Sequence, residues 1–160
     1  MLYLPFDGDS WDRSGLGNHG RRVGNPNYTA GRIGDGIAVS SLKDGTSFNY
    51  VTVGNPADLQ FDANTSFTVS LWTRITNWTG DPVLIGNKNW SSGGNQGWVI
   101  ATASNGRYQW NLGDGDAGGR TRVDYDGPGN TLTDGAWHHL ATVFNRTGLK
   151  KVYLRQFGVF

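Results

Sequence analysis

Apolar and polar residues alternate in short runs along this chain, and Gly, Asn and Asp interrupt the runs. The clearest run is Phe67-Thr68-Val69-Ser70-Leu71-Trp72-Thr73. A strand there places Phe67, Val69 and Leu71 on one face and Thr68, Ser70 and Trp72 on the other. The same reading predicts strands over residues 2–6, 37–40, 50–53, 67–75, 83–86, 98–103, 108–112, 121–126, 137–144 and 151–154. The stretch 137–144 alternates less strictly and reads as a largely buried inner strand, with Trp72 and Trp137 as core residues. No segment has a helical period with caps; residues 57–61 suffice for one turn. Many short strands with turn signals between them predict an all-β, two-sheet antiparallel sandwich. Nothing divides the chain into parts and no fixed period repeats, so residues 1–160 read as one domain.

Composition sharpens this picture. All 13 acidic residues are Asp, and Gly reaches 25. Asp and Gly suit turns whereas Glu suits helices, which again favours strands and loops. Seven Trp, six Tyr and seven Phe carry much of the burial capacity. A net charge of +1, with Lys and Arg scattered, provides no electrostatic case for nucleic acid. The absence of Cys rules out disulfides and thiol chemistry. No run resembles a signal peptide or a membrane span, so membrane insertion is not expected. With Met1 directly before the first apolar run, the chain reads as a domain excised from a larger protein.

Three aspartates, Asp7, Asp9 and Asp12, crowd the first loop. Carboxylates and carbonyls on a Gly-rich backbone can converge on a hard cation, and calcium tolerates such irregular geometry. The same residues equally make a solvated Asx-rich turn.

The order of motifs resembles the laminin-G-like jelly rolls of the concanavalin A-like lectin/glucanase superfamily, in their bacterial type. Phe6-Asp7-Gly8, Asp12-Arg13-Ser14-Gly15 and Gly17-Asn18-His19-Gly20 resemble the family's opening strand and loop. Gly31-Arg32-Ile33-Gly34-Asp35-Gly36-Ile37-Ala38-Val39, Tyr50-Val51-Thr52-Val53, Phe67-Thr68-Val69-Ser70-Leu71-Trp72 and Gly135-Ala136-Trp137-His138-His139-Leu140-Ala141 follow in the family's order. The stretch from Ile85 to Trp90, continuing through Gly97-Trp98-Val99-Ile100, is similar to a segment found in such domains beside secreted enzymes. After Lys151-Val152-Tyr153-Leu154 the family usually continues for several dozen residues, so the resemblance implies a jelly roll lacking its final strands. An unpaired edge beside residues 2–6 would then favour self-association.

The resemblance implies a structural Ca2+ in the opening loop, held by Asp7 and Asp12 with oxygens of Asn18 and the His19 backbone, and Asp9 as a weaker candidate. It also implies an extracellular or cell-surface location and a glycan partner. Carbohydrate modules stack aromatic rings on the apolar C–H faces of sugars, which makes Trp78, Trp90, Trp98, Tyr108, Trp110 and Tyr125 ligand candidates. Trp78 and Trp90, in polar contexts, are the expected exposed pair. For each ring, core packing is the competing role. The loop from Asp114 to Arg122 offers Asp114, Asp116, Arg120 and Arg122 as polar contacts, or a second oxygen-rich cation site, or is simply a hairpin connection. Adjacent His138 and His139 point to opposite strand faces and cannot easily share a metal.

Glucanases of this superfamily carry a Glu pair on one strand, and this chain contains no Glu. Asp124 and Asp126 put two carboxyls on one strand face, which is equally the pattern of a solvated strand. The sequence therefore predicts a non-catalytic carbohydrate-binding module, with protein adhesion or a structural spacer as the other roles open to it.

Overall fold

A computed structural model describes residues 1–41, 48–62, 64–88, 96–113, 123–146 and 152–157. Twelve strands and a single 3-10 turn, Ala57–Leu59, account for the regular structure of those residues. The turn falls within the 57–61 stretch expected to form one. The strands are β1 (Arg21–Val23), β2 (Asn27–Ala30), β3 (Asp35–Ala38), β4 (Ser40–Ser41), β5 (Phe48–Thr52) and β6 (Phe67–Thr73). They continue as β7 (Val83–Gly86), β8 (Gly97–Thr102), β9 (Arg107–Gly113), β10 (Val123–Thr131), β11 (His138–Phe144) and β12 (Val152–Phe157).

Sheet orders are β1-β5-β4, β2-β3, β10-β9-β8-β7 and β12-β11-β6. The pairings with resolved register are antiparallel. The chain divides into two compact units, residues 1–70 with 141–155 and residues 71–140 with 156–160.

In the first unit, Phe61 stacks on Phe67 at 4.2 Å and Phe67 on Phe144 at 4.5 Å between ring centroids. Burial along β6 alternates as its sequence predicts, with Phe67 buried, Val69 and Leu71 half-buried, and Thr68 and Ser70 exposed. Trp72, which with His139, Arg74 and Trp137 belongs to the second unit, falls on the exposed face, against the expectation that it is core. Alternation decides the matter: Trp72 is one residue out of phase with Leu71 and Thr73, so its size cannot bring it inside. It lies against the His139 ring at 5.0 Å. Trp137 is half-buried, with the Arg74 guanidinium 5.1 Å from its ring centre.

In the second unit, β8 is buried on both faces from Trp98 to Thr102. Its run Trp98-Val99-Ile100-Ala101 is apolar throughout, as a central strand requires. Neighbouring β9 places Gln109 and Asn111 in the interior, on either side of Trp110 along the strand. Gln109 donates to the Thr102 carbonyl at 3.3 Å, and the Lys88 ammonium donates to the Asn111 side-chain oxygen. Buried amides are tolerated because they have such partners. At the entry to β8, Gly97 has φ 124° and a Cβ there would clash with the Asn87 side-chain oxygen. That oxygen accepts the Trp98 N–H at 2.8 Å, so any larger residue would displace the contact that starts the strand.

Two expectations need correction. Residues 2–6 form no strand. Tyr3 spends both its backbone groups on the opening loop: its N–H donates to Asp12 and its carbonyl accepts from the Arg13 N–H. Residues 2–6 therefore present no open sheet edge, and the basis for self-association there falls away. Strands β1 and β2 escaped the sequence reading because Arg21-Arg22-Val23 and Asn27-Tyr28-Thr29-Ala30 are mostly exposed and polar. Their pairing with β5 and β3, rather than any periodicity of their own, makes them strands.

Candidate functional site: the opening loop and its exposed indole

Residues 7–20 form an irregular loop organised around one side chain. Asp12 is only 6% exposed. Its Oδ1 accepts the N–H of Tyr3 at 3.0 Å and of Ser14 at 2.9 Å. Its Oδ2 accepts the Ser14 hydroxyl at 2.8 Å and the Asn18 N–H at 3.0 Å. Burial pushes the Asp12 carboxyl pKa up, but the donors of Tyr3, Ser14 and Asn18 outweigh it and hold the group well below the usual carboxylate range. The backbone N–H of Asp12 itself donates to His19 Nδ1 at 3.0 Å. The proton of neutral His19 therefore resides on Nε2. Ser10, also buried, shares a hydrogen bond with the Tyr28 hydroxyl at 2.9 Å, and its carbonyl accepts the Gly20 N–H at 2.7 Å.

Between these fixed points Trp11 projects outward, 57% exposed. The His19 ring lies 5.2 Å from it at an interplanar angle of 34°, and the Arg13 guanidinium carbon lies 5.7 Å from the indole centre. Arg13 pairs with Asp9 at 2.6 Å, and Asp9 also accepts the backbone N–H of Trp11 at 3.0 Å. An open indole is thus framed by a carboxylate and a guanidinium on a loop tied down from beneath. Such a surface can pack against an apolar ring face while its rim exchanges hydrogen bonds with hydroxyls. The sequence reading quoted this loop for its aspartates and passed over Trp11. The signal was there, since Asp9-Ser10-Trp11-Asp12-Arg13 is as polar a context as those that singled out Trp78 and Trp90.

The side chains of the four expected metal-ligating residues all have hydrogen-bond partners within the chain. Asp12 is surrounded by donors. Asp7 Oδ1 accepts the Asp35 N–H at 2.8 Å, beside Gly34, whose φ of 60° and close approach to that carboxylate leave no space for a Cβ. The Asn18 amide donates to both oxygens of Asp58, at 3.0 and 2.9 Å. The His19 ring accepts from the Asp12 N–H, a contact that does not involve the backbone oxygen expected as a ligand. Calcium requires six to eight oxygens turned toward it. Asp12, with donors on both oxygens, does not fit that need, and among the described residues no three His, Cys, Asp or Glu side chains are grouped to hold a metal.

Of the expected ligand-binding aromatics, Trp78 is half-buried in the segment between β6 and β7. Trp98 on β8, and Tyr108 and Trp110 on β9, are buried and form part of the core. Ile100 pairs with Trp110 and Trp98 with Leu112 across the β8–β9 ladder, so these rings share one sheet face. Trp90, Asp114, Asp116, Arg120 and Arg122 lie outside the described residues. On β10, Asp124 stands opposite Asn111, Tyr125 opposite Trp110, and Asp126 opposite Gln109. His138 Nε2 lies 2.8 Å from an Asp134 carboxylate oxygen, while His139 meets Trp72, so the two imidazoles have separate surroundings.

A laminin-G-type family model, described as the concanavalin A-like lectin/glucanases superfamily, matches residues 44–154. The chain belongs to that superfamily. Its all-β class and antiparallel sheets are consistent with the jelly-roll sandwich expected from the sequence. Comparison with curated proteins and with solved structures returned no match. The opening loop and Trp11 precede the matched segment. Among the described residues, no helix is long and apolar enough to cross a membrane.

Proposed function

We propose that this lectin-like domain is a non-catalytic carbohydrate-binding module that tethers a secreted or surface protein to glycan. The observation that carries this reading is Trp11, a large ring left open to solvent on a loop whose backbone is pinned by Asp12 and His19. A pre-ordered aromatic surface loses little entropy on binding a sugar. Its rim groups, Asp9 and Arg13, supply hydroxyl-seeking oxygen and nitrogen atoms. One such contact supports an affinity on the order of 10 μM to mM, which tethering makes useful by raising local concentration. Against catalysis stands the acid inventory: glycoside hydrolysis places two carboxyl groups across the scissile bond, and this chain has no Glu to form the superfamily's pair.

A glycan array probed with the wild-type protein and with Trp11→Ala tests the reading. The expected result is binding by wild type and a loss of about tenfold or more in the variant, as removal of a stacking ring should produce, with an unchanged melting temperature. Equal binding by the two proteins, an empty array, or release of reducing sugar from a polysaccharide would each defeat it.

One observation favours protein adhesion as a second reading. Phe48 and Tyr50 are both exposed, alternate on one face of β5, and have Ser41 and Val23 as their cross-strand partners. An apolar strip of that kind suits a protein surface better than a sugar. On this reading the array stays empty and Trp11 is dispensable.

A further inference from the structure

We propose that Asp12 orders the opening loop as an internal hydrogen-bond acceptor and that this loop holds no calcium ion. The family resemblance raises the opposite expectation, and the geometry at Asp12 argues against it. Both Asp12 oxygens already accept two hydrogen bonds each, from Tyr3 and Ser14 on one side and from Ser14 and Asn18 on the other. Three of those donors are backbone N–H groups, whose dipoles present positive charge to the carboxylate. A cation placed against this group would meet the same positive ends. A carboxylate among N–H groups is, in effect, the anion that the loop binds, and it is supplied by the chain itself.

The neighbouring side chains are turned toward partners within the chain. Asp9 accepts from the Trp11 backbone N–H and from Arg13, and Asp7 Oδ1 accepts from the Asp35 N–H. Asn18 turns its amide nitrogen, not a ligating oxygen, toward Asp58, which also pairs with the N-terminal ammonium at 3.6 Å. The role the resemblance assigns to a metal, fixing a Gly-rich segment whose ordering costs entropy, is filled by hydrogen bonds.

The test is a calorimetric titration of CaCl2 into wild-type protein stripped with EGTA, together with melting curves in EGTA and in millimolar calcium. No saturable heat and a Tm change below about 1 °C are expected. A bound calcium at a hundredfold excess over its Kd would raise Tm by roughly 5 °C or more, and that result overturns the proposal. Asp12→Asn puts an amide donor among the donors and should lower Tm by about 3 °C or more, equally in EGTA and in calcium. A variant as stable as wild type overturns the anchoring role. If Asp12→Asn does not fold, Ser14→Ala removes one donor only, and a smaller drop, indifferent to calcium, is expected; a drop confined to the calcium sample overturns the proposal. No readout involves glycan, so the result stands apart from the proposed function.

Discussion

At the residue scale, the chemistry of this protein turns on which carboxylates face donors. Asp12, Asp62 and Asp134 all have pKa values lowered below the ordinary range. For Asp62 the main cause is the Thr65 hydroxyl, joined by the N–H groups of Thr65 and Asn64; for Asp134 it is His138, joined by the Ala136 N–H. A depressed carboxyl pKa stabilises the fold at every pH above the unfolded value, about 3.9 for Asp, and that stability is lost as pH falls through the folded value. The melting temperature of wild type should therefore hold down to about pH 4 and fall steeply below it. Asp12→Asn should start lower at neutral pH and show a shallower acid limb, because the group that titrates is gone. Thermal melts of both proteins across pH 2 to 7 would reveal this, and parallel curves would refute it.

At the scale of elements, alternation explains most of what packs and one residue that does not. Strand β11 sends Leu140, Thr142 and Phe144 inward with little or no exposure, and leaves Val143 exposed. Phe144 is 1% exposed and stacks on Phe67. Truncating it to Ala should cost about 3–5 kcal/mol, through lost burial and the cavity left behind. Val143→Ala, one position along and on the other face, should stay within about 0.5 kcal/mol of wild type. Urea unfolding of the pair measures the contrast, and similar losses would mean that the strand register is wrong. Trp72 obeys the same rule from the other direction: its phase on β6 puts a large ring outside. In the β10–β9 pair the register shifts between Asp126 and Thr131, where Gly127-Pro128-Gly129 interrupts the ladder; Pro has no N–H to contribute to it.

For the molecule as a whole, near-neutral charge bears on how it meets a partner. A net charge of +1 creates no long-range field, and the candidate contact at Trp11 is framed by an ion pair that is already internally neutralised. If the ligand is a neutral glycan, affinity should change by less than about threefold between low and high salt, since no counterions are released. A fall of tenfold or more across that range would indicate an anionic ligand drawn by the surface arginines. Titration of whichever glycan the array selects, at two ionic strengths, distinguishes these cases.

Much of this protein was legible before any coordinates. The all-β class follows from alternation and turn residues, the superfamily from the order of its motifs, and the lack of a Glu pair from simple counting. These are properties of the chain taken locally, and local rules of backbone geometry suffice to read them. The site was not legible in the same way. The sequence marks Trp11, Trp98, Tyr108 and Trp110 as aromatic alike, yet only the fold leaves the first in solvent and packs the others on β8 and β9. Likewise, three aspartates in a loop predict a cation or a turn with equal ease. Which of them it is depends on the N–H groups that tertiary contacts bring against Asp12, one of them from Tyr3, nine residues away along the chain.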